Sequence, residues 1–74
     1  MKDRMRYAVV IERVAHNYSA YVPDLPGCVA TGATLPEVQS SIREAIQDHL
    51  AGMREDGTPI PPPSSQVDYV DVAA

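Results

Sequence analysis

Residues 5–14, MRYAVVIERV, alternate in the manner of a β-strand, with Tyr7, Val9 and Ile11 on one face and Ala8, Val10 and Val14 on the other. Apolar side chains on both faces predict a strand with something packed on each side. The segment AHN at 15–17 reads as a turn, with Asn17 the residue suited to a left-handed backbone. Residues 18–22 alternate again, Tyr18, Ala20 and Val22 against Ser19 and Tyr21, and the short connection predicts an antiparallel hairpin. PDLPG at 23–27 then interrupts the chain, and residues 28–32 form a short third strand.

From Thr34 onward the period becomes helical. Thr34 is placed to cap, Glu37 stands three residues later to complete a capping box, and Pro36 falls in the first turn, where amides have no intrahelical acceptor. Val38, Ile42, Ala45, Ile46, His49, Leu50 and Met53 recur on one side, and Glu37, Ser40, Arg43, Glu44, Gln47 and Arg54 lie mostly opposite. The pattern predicts one amphipathic helix of roughly five turns, ended by Gly57 and barred from continuing by Pro59. Residues 59–65, PIPPPSS, read as a stiff extended connector. Residues 66–72 alternate once more, Val67 and Tyr69 against Val70 and Val72, and predict a last strand.

The fold class that follows is α+β, in the order β-β-β-α-β. A three-stranded antiparallel meander is joined by a fourth strand parallel to the first or third, with one helix packed on one face. Residues 1–74 form a single domain. One helix covers only one sheet face, so Val10 and Val14, or their opposites, stay half exposed. An uncovered apolar face on so small a domain predicts self-association or a partner.

Composition narrows the possibilities. The formal net charge of −4 and pI of about 4.8 argue against nucleic-acid binding by the chain alone, since phosphate contacts need a basic face, and are compatible with a basic protein partner. Lys2, Arg4 and Arg6 make a short basic start that Asp3 interrupts. The single cysteine, Cys28, allows no intramolecular disulfide, which fits a reducing cytoplasm. With His16 and His49 it does not make a zinc site, and no cofactor is expected. No apolar run reaches membrane-spanning length, and residues 1–14 lack the apolar core of a signal peptide.

The corner at 23–27 is the strongest local signal. Pro23 and Pro26 fix φ, Asp24 can bond the backbone that follows it, and Gly27 permits positive φ. A loop shaped in advance loses little further entropy on binding. Tyr21, Asp24, Leu25 and Pro26 are therefore candidate partner-binding residues. The other reading of the corner has Leu25 plugging the core and Asp24 only closing the turn. A catalytic Asp24 would need a second carboxylate, a histidine or a metal, for which Glu12, Asp68 and Asp71 are the available carboxylates. No nucleophilic constellation or phosphate-binding loop accompanies it, and no enzymatic activity is expected.

Pro23 to Cys28 (PDLPGC), Thr31 to Thr34 (TGAT), Glu44 to Ile46 (EAI) and Asp56 to Pro61 (DGTPIP) with Pro63 together resemble the HicB-like antitoxin family, and the resemblance extends over roughly residues 5–72. It implies a partial ribonuclease-H-like fold of the same element order, without enzymatic activity. It implies a partner, a HicA-like toxin that is a small basic messenger-RNA-cleaving ribonuclease, neutralised by covering its catalytic histidine. It also implies a homodimer or homotetramer in the cytoplasm. Many members continue into a DNA-binding module; this sequence stops at Ala74, so direct nucleic-acid binding is not expected. The alternative readings are a stand-alone oligomeric regulatory protein with no cognate toxin, and a vestigial nuclease holding Mg²⁺ between clustered carboxylates.

Overall fold

The computed structural model describes residues 4–74, so Lys2 and Asp3 of the basic start lie outside it. Its elements are β1 (Val10–Val14), β2 (Asn17–Tyr21), β3 (Val29–Gly32) and α1 (Leu35–Glu55). The strands form an antiparallel meander in the order β1-β2-β3. Its register aligns Ile11 with Ala20 and Ala30 on one face, and Val10 with Tyr21 and Val29 on the other.

The two hairpins turn by different chemistry. Between β1 and β2 the left-handed residue is Ala15, at φ 53°, rather than Asn17, which already pairs with Val14 as the first residue of β2. Positive φ at only the first of two loop residues is the pattern of a type II′ turn, whose twist matches that of the flanking strands. Between β2 and β3 the corner consists of two consecutive β-turns. Leu25 N–H donates to the Val22 carbonyl and Cys28 N–H to the Leu25 carbonyl. Each turn has proline at its second position, and Gly27 at φ 83° supplies the positive φ that a type II turn requires at its third. Val22 N–H closes the loop by donating to the Cys28 carbonyl.

The helix is capped at both ends. The Thr34 hydroxyl accepts from Glu37 N–H at 3.2 Å, and the Glu37 carboxylate accepts from Ala33 N–H at 3.0 Å, one residue ahead of the usual capping-box partner. At the other end Gly57, at φ 68°, donates to the Arg54 carbonyl and Thr58 N–H to the Met53 carbonyl. These are the paired bonds of a Schellman motif, which satisfy carbonyls the helix leaves unpartnered.

α1 lies over β2 and β3. Val38 and Ile42 from the helix, Ala20 from the second strand, and Val22, Leu25 and Cys28 from the corner make up the buried core. The helix start comes so close to β3 that a Cβ on Gly32 would sit 2.6 Å from the Val38 backbone nitrogen. The open sheet face falls where the alternation places it: Val10 is half-buried, and Val14 is 55 % exposed.

Two expectations about strands are corrected. β1 begins at Val10 rather than residue 5, because β2 ends at Tyr21 and the prolines of the corner withdraw the donors that a longer ladder would need. The fourth strand at 66–72 is not formed. That segment has no ladder, and Tyr69, Val70 and Val72 are 90 %, 75 % and 78 % exposed. Alternation makes a segment competent to pair; the ladder itself needs a neighbour's amides and carbonyls. The tail also lengthens the molecule: its radius of gyration is 14.1 Å, against about 11 Å for a compact chain of this length.

Gly32→Ala forces the helix start away from β3 and should cost about 1–3 kcal/mol, measured by denaturant unfolding. Leu25→Ala should cost about 2–5 kcal/mol, against a total stability of about 4–11 kcal/mol for a chain of this size. Melting at or near ambient temperature is the expected outcome for that variant.

Candidate functional site

The corner is built from both ends of the chain. The Asp24 carboxylate accepts from Ser64 N–H at 2.9 Å, the Ser64 hydroxyl at 3.1 Å, Ser65 N–H at 2.9 Å and the Ser65 hydroxyl at 2.8 Å. An ionised carboxylate has roughly four acceptor sites, and all are engaged. The Ser65 and Ser64 backbone amides, followed by the Ser65 hydroxyl, hold the Asp24 carboxyl down at about 2, outweighing its partial desolvation. Nearby, the Tyr7 hydroxyl donates to the Pro61 carbonyl. Burial, and then the negative charge of Asp24, push the Tyr7 phenol above its ordinary range, with Arg54 opposing. The proline-rich connector is thus fastened at two points, by Tyr7 near its middle and by Asp24 at its end.

This arrangement sorts the four candidate contact residues. Leu25 is fully buried, so its side chain reaches no partner while the corner is intact. Asp24 is occupied within its own chain. Leu25 is thereby corrected from an exposed residue to a core residue, while Asp24 bonds residues 64–65. Pro26 is exposed, and Tyr21 is 42 % exposed on the open face of the sheet. The alignment of Tyr21 with Val10 on one side and Val29 on the other makes an apolar row across all three strands. A second row, Glu12, Ser19 and Thr31, runs beside it and is polar. Val29 is 63 % exposed, and sequence reasoning passed over it; the alternation of β3 against β2 was the signal that could have found it.

Ser64, Ser65 and Tyr7 were also missed. Their partners stand 40, 41 and 54 positions away, and periodicity carries no information at that distance. Among the described residues no group of three or more His, Cys, Asp or Glu is placed to hold a metal ion. Cys28 is buried, and burial pushes its thiol up, away from nucleophilic character. Among the described residues no helix is long and apolar enough to cross a membrane.

Asp24 is ionised in the folded chain down to about pH 2 but protonates near pH 3.9 when unfolded. Its stabilising contribution is therefore complete above about pH 5 and lost as pH falls toward 2. Asp24→Asn should lower the melting temperature at pH 7, and the gap from the parent protein should close between pH 5 and pH 2 in a calorimetric pH series. Cys28 should resist a thiol reagent in the native protein at pH 8 and react at once in denaturant.

Comparison with known proteins agrees with this architecture. Residues 7–73 match the family described as the HicB-like antitoxin of bacterial toxin–antitoxin systems. The 14.9 kDa protein of the rep–hol intergenic region of Haemophilus phage HP1 is 39 % identical over 67 residues, covering 90 % of this chain and 50 % of that protein. A UPF0150 protein of Helicobacter pylori is 40 % identical over 47 residues, 64 % of this chain and 65 % of its own. Another, of Thermoplasma acidophilum, is 34 % identical over 58 residues, 77 % of this chain and 84 % of its own. The chain therefore spans about half the length of the phage relative. Among solved structures, a chain of the HicA3 and HicB3 toxin–antitoxin complex superposes with a TM-score of 0.70 at 28 % identity, covering 80 % of this chain and 70 % of that one. With its corner, its helix start and its three-stranded meander all inside the matched residues, the chain belongs to the HicB-like antitoxin family.

Proposed function

We propose that this chain neutralises a HicA-like, messenger-RNA-cleaving toxin by binding it and covering its active site, without chemistry of its own. The observation that carries the reading is the likeness, at a TM-score of 0.70, to a chain of a solved toxin–antitoxin complex. Three features of the chain support it. The net charge of −4 suits a basic ribonuclease and speeds the encounter with it. Tyr21 sits at the centre of an exposed apolar row, and aromatic side chains with an apolar body and a polar tip are favoured as interface anchors. Pro26 stands on a corner held rigid by two β-turns and the Asp24 contacts, so little ordering is left for binding to impose.

In this reading Tyr21 and Pro26 touch the toxin, while Leu25 and Asp24 hold the surface that carries them. Tyr21→Glu should weaken binding to a HicA-like toxin by about 30-fold or more, the range for losing an interface anchor, measured by titration calorimetry with the partner encoded beside this gene. Its melting temperature should stay within a few degrees of the parent. Ribonuclease assays should show cleavage suppressed by the parent protein and restored with the variant. If the neighbouring gene product is not bound at all, the antitoxin reading fails for this chain and the stand-alone regulator takes its place.

A further inference from the structure

The described chain is one strand short on a particular side. β1 has β2 on one flank and no strand on the other, so its outer backbone groups have no ladder partner among the described residues. α1 is seated over β2 and β3 and leaves the space between its flank and β1 open. The result is an open groove of about 650 Å³ in which Tyr7, Val9 and Ile11 face Ile42, Ile46 and Leu50. A strand added beside β1 would turn every second side chain into that groove.

The same chain carries a strand with no sheet. Residues 66–72 alternate apolar positions with Asp68 and Asp71, yet Tyr69, Val70 and Val72 are almost bare. Residues 65–68 share a hollow with Arg6, Tyr7 and Ala8, and the large apolar residues beyond them are exposed. Ser64 and Ser65, held by Asp24, fix where the segment departs. Its seven residues reach about 23 Å at the rise of an extended strand. Charge matches as well: the tail carries Asp68 and Asp71, whereas residues 4–14 carry Arg4, Arg6 and Arg13 against Glu12 alone.

We propose that residues 66–72 of one copy add as the missing strand along the outer edge of β1 in a second copy, and that the exchange is reciprocal. Donor and acceptor are both on one chain, so a two-fold axis satisfies both edges at once and the assembly closes as a dimer. The inference does not depend on the toxin reading, because it uses the edge and the helix-side groove rather than the open face.

The test uses the whole chain. Light scattering at 50 µM should give twice the 8.0 kDa chain mass. Val70→Pro, which removes a ladder donor from an exposed tail residue, should raise the dimer dissociation constant at least tenfold and leave the circular dichroism spectrum unchanged. A mixed dimer of isotope-labelled and unlabelled chains should show intermolecular contacts between residues 66–72 and residues 4–14 by filtered NMR. A monomer at that concentration overturns the proposal. So does a dimer that Val70→Pro leaves intact, or one whose tail contacts residues 4–14 only within its own chain.

Discussion

A single α-helix with its side chains is about 10–12 Å across, and neighbouring strands lie about 4.8 Å apart. One helix can therefore roof two strands well and a third only poorly. That arithmetic governs this molecule. α1 is centred on β2 and β3, and the buried side chains come from the helix, β2 and the corner that follows it. On the β1 side the inward residues Val9, just before the strand, and Ile11 within it are only half-buried. The opposite face of the sheet has no covering element at all among the described residues, so its apolar row stays at the surface.

A core this small contributes little, and the chain compensates by restricting its own backbone. The two β-turns of the corner place a proline where φ is already near the required value, which narrows the unfolded ensemble without straining the native one. Leu25, between them, is carried into the core by turn geometry rather than by a strand or helix. Asp24 then joins this corner to residues 64–65 through four hydrogen bonds, tying the proline-rich connector back to the sheet after the helix has ended. The corner is thus structural first, and whatever it presents to a partner rests on that rigidity.

How much of this the amino-acid order made legible depends on the range of the forces involved. Side-chain alternation and capping act within a few residues, so the three strands, their faces, the helix and the Schellman stop were readable. Thr34, Glu37 and Gly57 do what their chemistry suggests, though Glu37 bonds one amide earlier than expected. The left-handed position between β1 and β2 fell on Ala15, because the register of the hairpin, and not the preference of Asn17, decides which residue takes it. The partners of Asp24 and the fate of residues 66–72 were illegible for a different reason. Both depend on which distant segments the fold brings together, and alternation reads identically in a paired strand and in a bare one.

The edge of β1 and the open face meet at right angles, so using one does not block the other. If the tail of a second copy lies along β1, its outward side chains extend the row formed by Val10, Tyr21 and Val29 by one more strand, and they come from the other protomer. The surface offered to a toxin would then be complete only in the assembled state. Such an arrangement couples the two equilibria: whatever dimerisation adds to toxin affinity, toxin binding must return to the dimer in equal measure. A chain with so little core of its own would in this way draw part of its stability from the partner it captures, since a ligand that binds only the folded assembly shifts folding toward it by mass action.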